Sequence, residues 1–258
     1  MLAVERRKKI TEIIGENKSV LVTELSRQFE VTEETIRRDL EKLEQMGILV
    51  RTYGGATLVE GNVAEVPVEQ RQVINSAGKD AIAYEAAKMI KEGETIFLDA
   101  STSAYFLAKY IKNMKNITVI TNSHKVITEL ADSESVKIIS IGGMLRKTNM
   151  SFVGRVAEST ILNSYFASKA FISCQGITLN RGFTDQNEQE TEVKKAMIKC
   201  SDSVFVLCDQ SKLGKLSYCR VADFQEVDCF ITDAKLGNEW EQVFQQKDID
   251  VVIARKEI

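Results

Sequence analysis

Beyond residue 75, short apolar segments alternate with helical patterns, and this alternation limits the fold more than any other feature of the sequence. Seven apolar segments are predicted as strands, at residues 95–98, 117–120, 136–141, 169–173, 203–208, 228–232 and 250–254. The spacing of apolar residues predicts helices at 76–91, 102–113, 123–131, 154–164, 187–200 and 237–246. Strands separated by helices build a mostly parallel sheet covered on both faces, so we predict a Rossmann-like α/β domain.

The first 58 residues follow a different pattern, which predicts three helices and a hairpin. A helix is predicted at 4–16, and a short extended segment follows at 20–22. Thr23 is predicted as the N-cap of a second helix, which carries Leu25 and Phe29 one turn apart.

A third helix is predicted at 33–46, because three apolar residues recur at i, i+4 and i+7 and form one buried stripe. This stripe consists of Ile36, Leu40 and Leu43. Thr32 is predicted as the N-cap and Gly47 as the end of the helix. Segments 48–53 and 56–59 then flank Gly54-Gly55, which predicts a hairpin with a two-residue turn.

This arrangement predicts a winged helix-turn-helix that binds DNA. At about 100° per residue, Thr35, Arg37 and Arg38 point away from the buried stripe, near the helix end that such a motif inserts into the major groove. Arginine and threonine contact bases and phosphates. Arg51 and Tyr53 on the hairpin are predicted to reach the adjacent backbone or minor groove. The alternative interpretation is a surface helix with two solvated arginines.

The charge of this region does not by itself favour DNA binding. Residues 1–58 contain ten Lys and Arg and ten Asp and Glu, so the region carries no net charge. The prediction therefore rests on where the arginines lie relative to the buried stripe.

Between the two regions, residues 59–75 are predicted as a linker, because the stretch around Pro67 has no clear period. The predicted domains are thus 1–58 for DNA binding and 76–258 for the α/β fold. No apolar stretch reaches the roughly 18 residues of a membrane span, and no signal peptide is visible, so we expect a cytoplasmic protein without a membrane partner.

The counts of histidine and cysteine exclude several kinds of site. His124 is the single histidine, so a multi-histidine metal site is excluded and a Ser-His-Asp triad would depend on this one residue. The five cysteines form no C-x-x-C pair and fit buried, reduced thiols. We therefore expect no catalytic residue, no metal and no cofactor.

Polar residues follow four of the predicted strands. In open α/β sheets ligands bind beyond the carboxyl ends of the strands, so these positions predict a ligand pocket. Free amides and hydroxyls at a helix N-terminus suit an anionic phosphate, and Arg146 is a further anion partner. The four segments are Asp99-Ala100-Ser101-Thr102-Ser103, Thr121-Asn122-Ser123, Gly142-Gly143 and Asp209-Gln210-Ser211-Lys212. The alternative for each segment is ordinary helix capping after a strand.

Two segments of the N-terminal region form a specific pattern, Thr35-Ile36-Arg37-Arg38-Asp39-Leu40 followed by Arg51-Thr52-Tyr53-Gly54-Gly55-Ala56. In these segments the region resembles the DeoR family of bacterial regulators. Thr32 stands where the family usually has serine, an equivalent cap, and Tyr53 stands where it usually has histidine. The resemblance implies DNA contacts by Thr32, Thr35, Arg37, Arg38, Arg51 and Tyr53.

The remainder of the chain resembles the sensor domain of the same family, which is related to ribose-5-phosphate isomerase. The resemblance implies a phosphorylated sugar or polyol as effector, and Ser101 stands where the family has glycine. The matching positions are Asp99, Ser101, Thr102, Ser103, Thr121, Asn122, Gly142, Gly143, Gly154, Gly176, Glu190, Lys194, Asp209 and Lys212. Glu190 and Lys194 equally fit an ordinary i,i+4 helix ion pair.

Three functions follow from these patterns. The leading hypothesis is a repressor of carbohydrate-metabolism genes that binds a double-stranded DNA operator under control of its effector. Because two half-sites are read, we expect a homodimer or higher homo-oligomer. The second hypothesis is a sugar-phosphate isomerase that uses Asp99, Glu190 and Lys194. Ser101, in place of the family's glycine, and the regulator-like N-terminus count against this hypothesis. We therefore expect no enzyme activity. The third is a module activated by a protein partner.

Overall fold

The computed structural model describes residues 2–45, 48–58 and 66–254, and the chain divides into two compact units, Met1–Ser76 and Ala77–Ile258. The elements of the first unit are α1 (Ala3–Asn17), β1 (Ser19–Leu21), α2 (Val22–Phe29), α3 (Glu33–Gln45), β2 (Leu49–Thr52), β3 (Gly55–Leu58) and α4 (Val68–Val73). The predicted order of three helices and a hairpin is confirmed. The predicted helix end at Gly47 lies outside the described residues.

The core of the first unit contains the predicted stripe of α3. Ile36, Leu40 and Leu43 are at most 2% exposed, and they pack with apolar residues of α1, α2 and the strands. The other buried members of this core are Ile10, Ile14, Val20, Val22, Leu25, Phe29, Ile48, Leu49 and Ala56. The spacing of α3 therefore places one face in the core and leaves the opposite face exposed.

The wing is a three-stranded antiparallel sheet in the order β1-β3-β2. Thr52 pairs with Gly55, so the turn consists of Tyr53 and Gly54 rather than the predicted Gly54-Gly55. Gly55 serves a different purpose, because a Cβ there would lie 2.1 Å from the carbonyl oxygen of Val20 in β1. The close approach of β1, which the sequence did not predict, thus requires the second glycine.

The second helix begins two residues earlier than predicted. Val22 is its first residue and Leu21 its N-cap, so Thr23 is not the cap. The amide of Val22 donates to the carbonyl oxygen of Gly54 at 2.9 Å. A backbone contact with the wing therefore replaces the expected side-chain cap.

Part of the segment predicted as a linker is helical. Helix α4 follows Pro67 as its N-cap, and Val68 is 1% exposed. This helix belongs to the first unit. Residues 59–65, the first part of the predicted linker, lie outside the described residues.

The second unit contains the predicted α/β alternation. Its helices are α5 (Ser76–Ala87, which begins at the unit boundary), α6 (Thr102–Ile111), α7 (His124–Leu130), α8 (Arg155–Ser164), α9 (Glu188–Lys199) and α10 (Asn238–Gln246), with short 3₁₀ turns at Gln210–Lys212 and Phe224–Glu226. Its strands are β4 (Thr95–Leu98), β5 (Ile117–Thr121), β6 (Val136–Ser140), β7 (Met144–Arg146), β8 (Ser151–Val153), β9 (Ala167–Ile172), β10 (Gly176–Thr178), β11 (Gly182–Asp185), β12 (Ser201–Leu207), β13 (Cys219–Ala222), β14 (Cys229–Thr232) and β15 (Asp250–Ile253).

Seven strands form one sheet in the order β15-β14-β12-β9-β4-β5-β6, and every neighbouring pair is parallel. From β4 the chain proceeds outward through β5 to β6, then returns to β9 on the other side of β4. The strand order therefore reverses between β4 and β9, which makes this the switch point at which open α/β sheets bind ligands. Two apolar clusters on this sheet form the core.

Two small antiparallel sheets were not predicted. One contains β10, β11 and β13, and the other is the β7–β8 hairpin. Their sequences are short and show neither a clear alternation nor an apolar run as long as those of the predicted strands. Among the described residues, none of the helices combines the length and apolar character needed to cross a membrane.

Candidate functional site

Helix α3 presents the side chains that were predicted to face DNA. The hydroxyl oxygen of Thr32 accepts the amide of Thr35 at 3.3 Å, which confirms the predicted cap. The two hydroxyl oxygens lie 2.9 Å apart. The side chains of Arg37 and Arg38 are 54% and 74% exposed, on the opposite side from the buried stripe.

Each exposed arginine of α3 is paired with a glutamate one turn before it. Arg37 donates to Glu33 at 2.6 Å, and Arg38 donates to Glu34 at 3.3 Å. The arginine of the wing has the same kind of partner, because Arg51 Nε donates to Glu44 at 2.6 Å and the Arg51 amide donates at 2.9 Å.

The exposed tip of the wing carries Tyr53, and the base of the wing is fixed by the Glu44–Arg51 contact. The backbone amide and the guanidinium of Arg51 lower the pKa of Glu44 below its ordinary value. Glu44 therefore stays ionised at neutral pH and keeps its partner.

Asp39, which follows the two arginines of α3 directly, has a role that the sequence did not reveal. It is 3% exposed and bonds Arg6 at 2.5 Å and Arg7 at 3.1 Å, both on α1. A buried carboxylate is stable only with such partners. Asp39 therefore holds α3 against α1 and fixes the direction of its exposed face.

In the second unit, Asp99 lies at the switch point of the sheet. It is fully buried, and its two carboxylate oxygens accept the amides of Ser101 and Ser173, each at 3.0 Å. Ser173 follows β9, so this side chain joins the carboxyl ends of the two strands between which the order reverses. Asp99 thus shapes the crevice predicted from the strand pattern.

Lys194 of α9 provides the positive charge beside Asp99. Its ammonium donates to the carbonyl oxygen of Ser173 at 2.7 Å, lies 3.4 Å from Asp99 and contacts the carboxylate of Asp185. Burial alone would lower the pKa of Lys194, but the charges of Asp185 and Asp99 outweigh that effect and raise it. The lysine is therefore held as a cation between two carboxylates.

Glu190, one turn earlier on α9, belongs to a separate cluster. One of its oxygens, Oε1, accepts hydrogen bonds from Asn149 at 2.9 Å, from Arg146 at 3.4 Å and from the hydroxyl of Ser151. Among the described contacts Glu190 and Lys194 have other direct partners rather than the ordinary i,i+4 ion pair, although the charge of Glu190 is a minor contribution to the raised pKa of Lys194. Each residue is buried and finds its hydrogen-bonding partners on neighbouring short strands and loops.

The segment after β4 leads into α6 as predicted. Ser101 is the N-cap, and its hydroxyl oxygen accepts the amide of Ala104 at 3.1 Å. Ser101 has φ −79°, so this backbone does not need the glycine that the family usually has there. Thr102 and Ser103 are buried in the first turn, where helix amides favour anions.

Asn122, after β5, lies close to the β8 strand. Its amide nitrogen donates to the carbonyl oxygen of Phe152 at 3.1 Å, while its own Oδ1 is buried without a hydrogen-bond partner among the described residues. Thr121 accepts the amide of Ser123 at 3.0 Å. An unpaired buried carbonyl oxygen is costly, so Asn122 is suited to receive a donor from a ligand.

The four predicted glycines contribute backbone rather than side chains. Gly142 and Gly143 follow β6, Gly154 is the N-cap of α8, and Gly176 begins β10. Gly143 has φ 115°, and a Cβ there would lie 2.8 Å from the carbonyl oxygen of Val153. Only glycine therefore fits against the end of β8.

Polar residues also follow β12, as they follow β4 and β5. Asp209 is 4% exposed and caps the next 3₁₀ turn by accepting the amide of Ser211 at 3.0 Å. Burial opposes its ionisation, but the charges of Lys212 and Lys79 outweigh burial and lower the pKa of Asp209. Lys212 also donates to Gln175 at 3.1 Å.

The described contacts therefore join the predicted residues into groups rather than one cluster. Asp99 contacts Lys194, Arg146 contacts Glu190, and Lys212 lowers the pKa of Asp209. The sequence did not indicate several residues that connect these groups. Most of them lie on short strands and loops without a clear pattern, and Lys79 lies on α5. These are Lys79, Asn149, Ser151, Ser173, Gln175 and Asp185.

Comparisons with known proteins agree with this two-part organisation. Residues 6–62 match the DeoR-like helix-turn-helix domain, and residues 74–234 match the DeoR C terminal sensor domain. An uncharacterized HTH-type transcriptional regulator of Bacillus subtilis (strain 168), YulB, is 42% identical over 97% of this chain and 96% of its own length. A putative aga operon transcriptional repressor of Escherichia coli O157:H7 is 30% identical over 96% of this chain and 93% of its own.

Among solved structures, ribose 5-phosphate isomerase A from Methanocaldococcus jannaschii is 19% identical, with a TM-score of 0.41 over 54% of this chain and 55% of that one. A likeness of this size carries no conclusion about activity. The two domain matches together span both units, and the curated relatives cover nearly the whole chain. The chain therefore belongs to the DeoR family of helix-turn-helix transcriptional regulators.

Proposed function

We propose that this chain represses carbohydrate-metabolism genes by binding a duplex operator through the first unit, and that a phosphorylated sugar or polyol in the second unit controls the binding. The observation that carries the proposal is the set of buried polar residues at the switch point between β4 and β9. Asp99, Ser173 and Lys194 converge there, at the edge where sheets of this kind take ligands. The relative named as an aga operon repressor supports the choice of genes.

The proposed DNA contacts come from α3 and the wing. Thr32, Thr35, Arg37 and Arg38 lie at the N-terminal end of α3, the end that enters the major groove in helix-turn-helix proteins. The wing residues, Arg51 and Tyr53, are proposed to contact the adjacent backbone or minor groove. Because one such helix reads a short half-site, we propose that the protein acts as a homodimer or larger homo-oligomer.

The proposed effector site divides between a phosphate end and a hydroxyl end. The first turn of α6, with Thr102 and Ser103, offers amides and hydroxyls to a phosphate. Glu190 and Asn122 have acceptor oxygens suited to sugar hydroxyls. The remaining proposed contacts are Asp99, Ser101, Thr121, Gly142, Gly143, Arg146, Gly154, Gly176, Lys194, Asp209 and Lys212.

The geometry gives no support to an isomerase. Aldose–ketose isomerisation needs a base that can take a proton from the substrate. Lys194 is charged and holds two carboxylates and a carbonyl oxygen, and Oε1 of Glu190 already accepts three donors. These residues are better suited to binding and positioning a ligand than to proton transfer.

The proposal is tested by thermal shift of the full chain against phosphorylated sugars and polyols, each compared with its unphosphorylated form. A ligand at a hundred times its Kd is expected to stabilise the protein by about 2.7 kcal/mol. The same ligand must then change the affinity for a duplex selected by the protein from a random library. A stabilising ligand that leaves DNA affinity unchanged would refute the proposed control.

The DNA half of the proposal has its own test. Arg37→Ala is expected to weaken binding to the selected duplex by at least the tenfold that corresponds to about 1.4 kcal/mol, with an unchanged thermal midpoint. Lys195→Ala, an exposed change in the second unit, serves as the control. Equal DNA affinity in Arg37→Ala and the wild type would reject α3 as the recognition helix.

A further inference from the structure

All three arginines proposed to contact DNA are paired with glutamates in the free protein. Arg37 bonds Glu33 and Arg38 bonds Glu34. The wing repeats the pattern, because Arg51 bonds Glu44. The first unit thus presents its DNA-facing guanidinium groups already neutralised, which agrees with the equal numbers of acidic and basic side chains among residues 1–58.

The position of Glu33 and Glu34 has a simpler partial explanation. Carboxylates in the first turn of a helix are stabilised by its dipole. That explanation does not extend to Glu44, which lies near the C-terminal end of α3, where the dipole disfavours an acid. What the three glutamates share is an arginine partner, so the pairing is the feature to explain.

Pairing changes how an arginine binds DNA. Non-specific affinity comes from cations that replace condensed counterions on phosphates, and each such contact adds about 0.9 to the slope of log K against log salt. A guanidinium held by a carboxylate contributes less to non-specific affinity, because the ion pair is neutral and must break before the guanidinium can contact a phosphate. A bidentate contact with a guanine edge is a stronger competitor than a single phosphate oxygen.

We infer that Glu33, Glu34 and Glu44 are specificity-determining residues, which hold Arg37, Arg38 and Arg51 away from phosphates and release them at an operator. The glutamates weaken binding to arbitrary sequences more than binding to the operator. This inference rests on the proposed DNA-binding function, and it adds that acidic side chains of the reading surface set the ratio between specific and non-specific affinity.

The test compares two full-length double variants of equal charge. Glu33→Gln with Glu34→Gln removes the partners of both α3 arginines. The control, Glu12→Gln with Glu24→Gln, removes two charges from α1 and α2, and Glu24 lies in the first turn of its helix as Glu33 and Glu34 do. Circular dichroism melts establish that both variants are folded.

Binding is measured by fluorescence anisotropy on two duplexes of equal length, one of random sequence and one selected by the wild type from a random library. On the random duplex at about 0.1 M salt, the E33Q/E34Q variant should bind about three- to tenfold more tightly, with a salt slope steeper by about 1.8. Affinity for the selected duplex should rise by less, so the specificity ratio falls. The control variant should change the affinity for both duplexes by the same factor, and by a smaller factor than E33Q/E34Q does.

Three outcomes would overturn the inference. If E33Q/E34Q changes the two affinities and the salt slope only as the control variant does, the ion pairs do not restrain the arginines. If it loses affinity for the selected duplex alone, the glutamates contact bases directly. A wild type that enriches no duplex from the library would remove the proposed DNA-binding function itself, and the inference with it.

Discussion

Replacing Lys194 by methionine tests whether the buried cation organises the switch-point crevice. Methionine keeps the long apolar stem but leaves Asp99 and Asp185 without their shared counter-charge, at a position only 6% exposed. Removing one partner of a buried ion pair costs about 3–5 kcal/mol. We therefore expect the free energy of unfolding of the second unit to fall by about 4 kcal/mol.

The assay is urea unfolding followed by fluorescence of Trp240, the only tryptophan, which lies in α10 of the second unit. The matched control is Lys195→Met, next along the same helix. Its ammonium is exposed and pairs with Glu192 at 2.8 Å, so the expected loss is below about 1 kcal/mol. A loss in Lys194→Met no larger than in Lys195→Met would refute the reasoning.

Two further measurements separate charge from packing. Adding Asp185→Asn to Lys194→Met should recover part of the loss, because one uncompensated charge is removed. The pKa of Lys194 is raised above its unfolded value of 10.5, so its contribution to stability is fully present below that pH and is lost only as the pH rises through the folded pKa. The difference in the free energy of unfolding between wild type and Lys194→Met should therefore be equal at about pH 7 and about pH 9. A difference that vanishes by the higher pH would contradict the raised pKa of Lys194.

The remaining predictions concern single residues in each unit. Asp39→Asn should destabilise the first unit by about 3–5 kcal/mol, because two arginines lose their buried counter-charge; a circular dichroism melt without that loss would contradict the role given to Asp39. Gly143→Ala should cost about 2–3 kcal/mol, because its Cβ would meet Val153. Gly142→Ala, where the added Cβ meets nothing within 4 Å, should cost about 1 kcal/mol. Urea midpoints that rank these two variants the other way would contradict the steric argument.

Within residues 1–58, local patterns predicted the three helices and the buried face of α3 correctly. The stripe of Ile36, Leu40 and Leu43 is buried because helical periodicity fixes which side chains share a face. The details set by contacts between distant segments were not predictable. The approach of β1 to Gly55 and the backbone capping of Val22 both depend on how the wing folds back.

In the second unit, the strand pattern predicted which segments end at the ligand edge. It did not predict which side chains meet there. Lys194 and Glu190 are one helical turn apart, and the sequence allowed either an ion pair between them or a place in the ligand site. Their partners, Asp185 and Ser151, lie on short strands that carry no recognisable period.

The sequence by itself therefore determined the order of the main helices, the seven strands of the parallel sheet and the exposed face of α3, because these follow from short apolar runs and from the helical period of 3.6 residues. Only the tertiary structure decided the pairing of charges. Buried charges must find partners wherever the fold brings them within reach, and that choice depends on segments far apart in the chain. Asp39 with α1 in the first unit, and Lys194 with Asp99 and Asp185 in the second, are the two places where this is most evident.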